Sequence, residues 1–528
     1  MKTMANKNLF QTIAGKLLPK TDAVNEAQGH AYQLSPRQQL AQYAATGCLN
    51  ATFYASADEQ LSKVIELCQQ IEAEFIARCA VYSREHGLLK DMPALLVAVL
   101  STKDKSLFKT VFPRVIDNGK LLRNFVQIMR SGAVGRKSLG TAPKRLINAW
   151  FDARSDEAVF KDSVGQTPTF ADIVKMIHPK PQTASRAALY GYFIGREFDA
   201  AALPPVVREF EAFKAAKPGE RKDAPNIPFQ MLTALDLGTA EWTEIARHAG
   251  WQMTRMNLNT FARHGVFAEP GLPKLIAERL RNPQLIRRAR VFPYQLMTAY
   301  TQVNEDVPAV VREALQDALE VAISNVPRVE GKVYVFPDVS GSMQSPATGY
   351  RKGATTAVRC LDIAALVAAA ILRQNPQAEV IPFSDDVVAC RLNPRDSVLT
   401  NAQKLAALPS GGTNCSAPLR ELNRRKAAGD LVIYVSDNES WVDTPRHGCF
   451  GGSATETLKQ WAQFKQRNPQ ARLVCVDIQP YATTQAKERA DILNVGGFSD
   501  QVFELIAEFA AGRMNAEHWA GVIEAVRL

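Results

Sequence analysis

The stretch Lys332-Val-Tyr-Val-Phe-Pro-Asp338-Val-Ser-Gly-Ser342 decides how this chain is read. Residues 332–336 form a short apolar run of β-forming residues, broken at Pro337. An acid and two hydroxyls follow at once. A buried strand that ends in such a loop delivers polar groups to the carboxyl edge of an open sheet, where ligands bind. Residues 378–383 give a second strand candidate, 430–436 the clearest buried strand, and 471–478 another. Helical stretches at 355–373, 418–428, 455–467 and 502–511 lie between or after them. Strand–helix alternation predicts a parallel sheet with helices on both faces over residues 331–528.

Three loops of this sheet carry oxygen ligands. Asp338, Ser340 and Ser342 share one loop, and Gly341 is expected to let that backbone turn tightly. Thr413 lies in Ser410-Gly-Gly-Thr-Asn414, whose glycines are expected to bring backbone close to an ion. Asp437 follows the strand at 430–436 and falls at the same edge. Two carboxylates and three hydroxyls suit a hard divalent cation, Mg²⁺ above all. Such a set leaves the ion partly uncompensated, so it can accept a carboxylate or phosphate from a partner. A lone D-x-S-x-S motif is also what a helix cap or turn looks like. The ordered combination with a Gly-Gly-Thr loop and a post-strand Asp favours the metal.

Working back towards the N-terminus, the pattern changes. Apolar residues recur at three- and four-residue spacing in 61–80, 121–129, 171–177, 229–235, 275–280 and 307–323. Breakers separate them at Pro93, Pro113, 132–135, 179–181, 204–205, 218–219, 270–271 and Pro283. Helix–breaker–helix repetition over 1–330, with no convincing run of alternating strands, suggests an α-solenoid of loose period.

Charge follows the same division. The net charge is +10, and residues 1–330 carry 42 basic and 33 acidic residues, or +9. The remaining 198 residues contribute only +1. Within 101–150 there are 11 basic and 2 acidic residues. A polyanionic partner would therefore meet the helical part. Arg123 and Arg130 punctuate one helix. Arg136 and Lys137 sit in the glycine-rich 132–140 segment, and Lys144 and Arg145 open the next helix. A second cluster spans 281–290 (RNPQLIRRAR). Basic residues at helix ends can reach successive phosphates, which gives affinity without base reading. Each cluster taken alone could equally be a solvated helix face.

Composition narrows the setting. Hydrophobic residues make up 46% and charged residues 22%, as in a soluble globular protein. No stretch of about 18 uncharged apolar residues exists, so no membrane span is expected. The apolar runs 92–100 and 363–372 are short and read as buried helix. The N-terminal residues show no signal-peptide pattern. None of the 8 cysteines forms a C-x-x-C pair. Reduced thiols in a cytoplasmic protein fit better than zinc or disulfides.

Two resemblances follow from these residues. Asp338, Ser340, Ser342, Thr413 and Asp437 resemble the metal-ion-dependent adhesion site of von Willebrand factor A domains, a Rossmann-like α/β fold, and all five positions match. The stretches SGAVGRKSLG, MIHPKPQ, ARVFPYQLMTAY and GGTNCSAPL followed by SDNES resemble the Ro autoantigen family, in which a TROVE domain precedes an A domain. The second resemblance spans nearly the whole chain. It implies a multidomain protein, with an all-α ring of HEAT-like helical repeats at 1–330 and the A domain at 331–528. It also implies binding of Y RNA or Y-like RNA, and of single-stranded ends of misfolded non-coding RNA, beside an exoribonuclease in some bacterial relatives. The family's RNA-contacting His matches His178, and a contacting Lys seventeen residues upstream matches Lys161. A contacting Arg thirteen residues upstream falls on Gly165.

The leading expectation is therefore a non-catalytic RNA-binding protein used in RNA quality control. The alternative is an adhesion or scaffold protein that grips an acidic ligand through its metal. A hydrolase is disfavoured, because neither a G-x-S-x-G elbow nor a P-loop pattern occurs.

Overall fold

The computed structural model describes residues 12–13, 16–217, 220–221, 224–326, 328–347, 349–350, 358–442, 454–498, 500–514 and 518–528. Two compact units share the chain. One comprises Met1–Ile71, Phe292–Tyr294 and Ile323–Val526, and the other Glu72–Val291, Gln295–Ala322 and Arg527–Leu528.

The first unit is built on a parallel sheet of β1 (Val333–Pro337), β2 (Glu379–Val380), β3 (Leu431–Ser436), β4 (Arg472–Asp477) and β5 (Ile492–Gly496), in the spatial order β5-β4-β3-β1-β2. Strands β1 and β3 are buried at every position, as expected where helices cover both faces. The helix Cys360–Gln374 is apolar almost all round and buries residues 363–372 entirely. The expected helix began earlier, at 355, but 355–357 lie outside the described residues. Sequence periodicity missed β5 and the helix Val398–Ala406.

The expected division at 330/331 does not match these units. Residues up to Ile71 belong with the α/β unit, and they are not wholly helical. The strand His30–Gln33 pairs antiparallel with Thr483–Thr484, and Tyr32 is fully buried in the α/β core. Asn25 Nδ2 donates to Ser440 O at 2.9 Å, and Gln42 Nε2 donates to an Asp477 carboxylate oxygen at 2.6 Å. A four-residue strand that pairs with a partner some 450 residues away leaves almost no periodic signal in its own neighbourhood.

The second unit is helical. The helix Ala73–Glu85 packs on Asp91–Lys103, which packs in turn on Lys105–Val115 and Gly119–Ser131. Residues 92–100 are buried throughout, as expected. The helical stretch expected at 61–80 is two helices separated by an extended Ile71: Ala57–Gln70, which belongs to the first unit, and Ala73–Glu85, which belongs to the second. Pro113 does not break a helix; it lies inside Lys105–Val115, near its end. The expected breaker at 218–219 lies outside the described residues.

Among the described residues no helix is long and apolar enough to cross a membrane. The described cysteines 360, 390, 415 and 475 are free thiols, and all but Cys390 are buried. Cys449 lies outside the described residues.

Candidate functional site

In the α/β unit the loops after β1 and β3 meet the 411–413 loop. Asp338 N donates to Val435 O at 3.0 Å, and Gly341 N donates to Gly411 O at 2.8 Å. Trp441 N donates to Thr413 O at 3.1 Å. These bonds bring Asp338, Ser340, Ser342, Thr413 and Asp437 to one edge, and all five are buried. Ser340 N and Ser436 Oγ donate to the two oxygens of Asp338, at 2.8 and 2.6 Å. The hydroxyls of Ser340 and Ser342 lie 3.3 Å apart. Asp437 accepts from Glu439 N at 3.2 Å and from the Ser342 hydroxyl.

The electrostatics of this cradle are those of excess negative charge. Burial first, and then the charge of Asp437, push the Asp338 carboxyl well above the usual range. Burial raises Asp437 likewise. Burial and the Asp437 charge also raise Glu439. Among the described residues no Lys or Arg is ion-paired or hydrogen-bonded to Asp338 or Asp437. Buried carboxylates without cations carry a heavy desolvation cost, and a hard divalent cation would offset it. The donor set of two carboxylates and three hydroxyls therefore fits Mg²⁺.

The glycines of this region serve a different purpose from the one their spacing suggests. Gly341 has an ordinary helical backbone (φ −63°), and a Cβ there would make only a normal 3.5 Å contact. A Cβ at Gly411 or Gly412 would collide with an Asp385 carboxylate oxygen. These two glycines make room for Asp385, whose carboxylate accepts from Gly412 N at 2.8 Å. Sequence reading also missed Tyr54, a half-buried residue whose hydroxyl is hydrogen-bonded to Ser342 and feels the charges of Asp437 and Glu439. Nothing in the 51–55 segment signals that role.

In the helical unit the basic residues sort into distinct groups. The helix Gly119–Ser131 ends at Gly132 in the left-handed conformation (φ 91°), and Gly140 (φ 70°) opens the helix Thr141–Asp152. Both positions need a positive φ, which explains the glycine spacing of SGAVGRKSLG. Buried Val134 and Leu139 anchor the connecting segment. Its chain folds into a pocket of about 470 Å³ lined by Arg130, Lys137, Ser138, Leu139, Gly140, Thr141, Lys144 and Met176. Arg130 Nη1 lies 3.3 Å from Met176 Sδ. Arg136 and Arg145 are not among the lining residues; Arg145 is exposed, and the Arg136 guanidinium lies beside Gly140. Among the described residues none of these five cations forms an ion pair.

The remaining expected residues differ. Arg123 is buried, with its guanidinium donating to Asp162 O at 3.1 Å and lying over the Phe170 ring. It is a packing residue and does not present a charge to a partner. Lys161 is paired with Glu157 at 2.5 Å. His178 is exposed and caps the helix Phe170–Ile177 in the left-handed conformation, its N–H donating to Val174 O. In the 281–290 cluster, Arg281 is paired with Asp317 at 2.6 Å, whereas Arg287, Arg288 and Arg290 are exposed. Met176 carries no charge and gave no signal in the sequence.

With this geometry in place, comparison with known proteins adds the following. Residues 332–510 match the model of the Ro60 vWA domain. The chain is 25% identical over 545 residues to the RNA-binding protein RO60 of Deinococcus radiodurans, covering 96% of this chain and 100% of that protein. It is 23% identical over 250 residues to the RNA-binding protein RO60 of Caenorhabditis elegans, covering 45% of this chain and 37% of that one. The crystal structure of the Deinococcus radiodurans RO (RSR) protein shares its fold, with a TM-score of 0.62 at 22% identity, covering 91% of this chain and 100% of that one. The architecture of a helical unit with a C-terminal A domain is thus that of a solved Ro protein.

Proposed function

We propose that this chain, which carries a Ro60-type A domain and resembles Ro proteins along nearly its whole length, is an RNA-binding protein that acts by binding rather than by catalysis. One observation carries the reading. Arg130, Arg136, Lys137, Lys144 and Arg145 gather around one helix–loop–helix corner, and among the described residues none of them forms an ion pair, although Arg130 feels the charge of Asp172. Unpaired cations release counterions when they meet phosphates, and that release drives nucleic-acid binding. His178 and Lys175 are exposed at the end of the helix that supplies Met176, so they extend the same basic surface.

The finer reading is binding of Y RNA or Y-like RNA and of single-stranded ends of misfolded non-coding RNA, in RNA quality control and beside an exoribonuclease. The A domain would hold Mg²⁺ through Asp338, Ser340, Ser342, Thr413 and Asp437, and the ion would supply a docking point for an acidic group of a partner. The aromatic side chains of Phe53, Tyr350 and Trp441 are exposed in the same unit. A scaffold role for this unit would use such exposed aromatic side chains as its contacts with a partner.

The test is the affinity of the full chain for a structured RNA between about 50 and 200 mM salt. A steep fall is expected, with a slope reduced by about one for each of Arg130, Lys144 or Arg145 replaced by Ala. An affinity that does not change with salt would overturn the reading.

A further inference from the structure

The basic cluster is divided in a way that its sequence does not show. Arg130, Lys137 and Lys144 line one concavity, while Arg136 and Arg145 lie outside it. We infer that the concavity takes a phosphate monoester, the terminal phosphate of an RNA chain, in preference to the diesters along the backbone. This rests on the RNA-binding reading above.

Charge and shape both favour the monoester. A diester carries one negative charge, and successive diesters are spread along a strand. A groove with cations in a row suits them. A terminal monoester concentrates about −1.5 to −2 charges at pH 7 on three acceptor oxygens. Three cations that line one pocket, none ion-paired among the described residues, suit that concentrated charge. The helix Thr141–Asp152 begins at the pocket with no side-chain cap. Its N-cap, Gly140, offers no side-chain acceptor to the N–H groups of the first turn, and Ser138 and Thr141 bring hydroxyls. Uncapped N–H groups at a helix start favour an anion. The pocket holds about 470 Å³, room for a phosphate with its nucleoside, and Leu139 and Met176 provide an apolar wall against the sugar and base. The cations outside remain for the diesters that follow.

The experiment measures the affinity of the full chain for one RNA prepared with a 5′-phosphate, with a 3′-phosphate and with hydroxyls at both ends, at fixed salt and pH 7.5. One phosphorylated form should bind roughly tenfold more tightly than the hydroxyl form, and which form does so identifies the end. That preference should shrink at pH 5.5, where the monoester loses its second charge. Lys144→Ala should abolish the preference, and Arg145→Ala should weaken all three RNAs alike. Equal affinity for all three RNAs, with binding intact, overturns the inference but leaves the RNA reading standing. A preference that survives Lys144→Ala overturns the pocket as its source. Failure to bind any of the three overturns the RNA reading and this inference with it.

Discussion

Arg123 occupies the space that a side chain at residue 165 would need: a Cβ placed on Gly165 would lie 2.5 Å from Arg123 Nη2. Gly165 has a backbone φ of 117°, which side chains rarely adopt. The Arg that the Ro resemblance places at this position is therefore replaced by a glycine with a buried guanidinium packed against it. Gly165→Ala should cost about 1–3 kcal/mol through backbone strain and the displaced Arg123. Thermal unfolding checks this. Combining it with Arg123→Ala should give a loss smaller than the sum of the two single losses, because the clash disappears. A neutral Gly165→Ala would show that the segment relaxes freely.

Removal of metal gives a second test. If the cradle holds Mg²⁺, the ion should raise the melting temperature of the chain, with a gain of about 2.7 kcal/mol at a hundredfold excess over Kd. Asp338→Asn should lose that response. In EDTA the same variant should be at least as stable as the parent, because it removes one of two buried carboxylates that repel each other. A Mg²⁺-independent melting temperature in the parent, or a clear loss for the variant in EDTA, would contradict the account of the cradle.

Strands β1, β2, β3 and β4, and the meeting of Asp338, Ser340, Ser342, Thr413 and Asp437 at one sheet edge, were legible in the sequence because each is a local pattern: an apolar run, then a polar loop. What was not legible depends on distant partners. Tyr54, Tyr32 and Gln42 enter the α/β unit from the first 71 residues, and no local periodicity marks them. The basic cluster was visible as charge. Its sorting into buried Arg123, paired Lys161 and unpaired Arg130, Lys137 and Lys144 was not, since pairing is decided by the fold. The glycines at 411 and 412 show the converse. Their presence does signal a close approach, and the group that approaches them is the Asp385 carboxylate.

Glu488 sets a pH dependence. Burial pushes its carboxyl from 4.5 up to about 7, against hydrogen bonds from Gln38, whose Nε2 lies 2.7 Å away, and from Asn494. Between those values the folded chain holds the proton and the unfolded chain has lost it. The folded state binds more protons, so this group's contribution to stability falls as pH rises from 4.5 to 7 and is level above. Glu488→Gln should remove that fall and gain on the order of 1–2 kcal/mol relative to the parent at pH 8. Melting temperatures at pH 5 and 8 for both proteins decide it; parallel curves would exclude Glu488 as the source.

Gln42 and Asp477 give the last expectation. Asp477 ends β4, is fully buried, and has its acidity weakened mainly by burial. Gln42 Nε2 donates to one of its oxygens at 2.6 Å, and Gln42 Oε1 accepts from Tyr481 N at 3.2 Å. The other Asp477 oxygen has no hydrogen-bond partner among the described residues. Gln42→Ala would strand a buried acid and a backbone N–H together, at about 1–3 kcal/mol for each group left unpaired. A fragment that begins at residue 323 loses the same bonds and also uncovers the core around Tyr32. Both should unfold at lower denaturant than the full chain, the fragment by more. A fragment as stable as the full chain would mean that the first 71 residues only decorate the α/β unit.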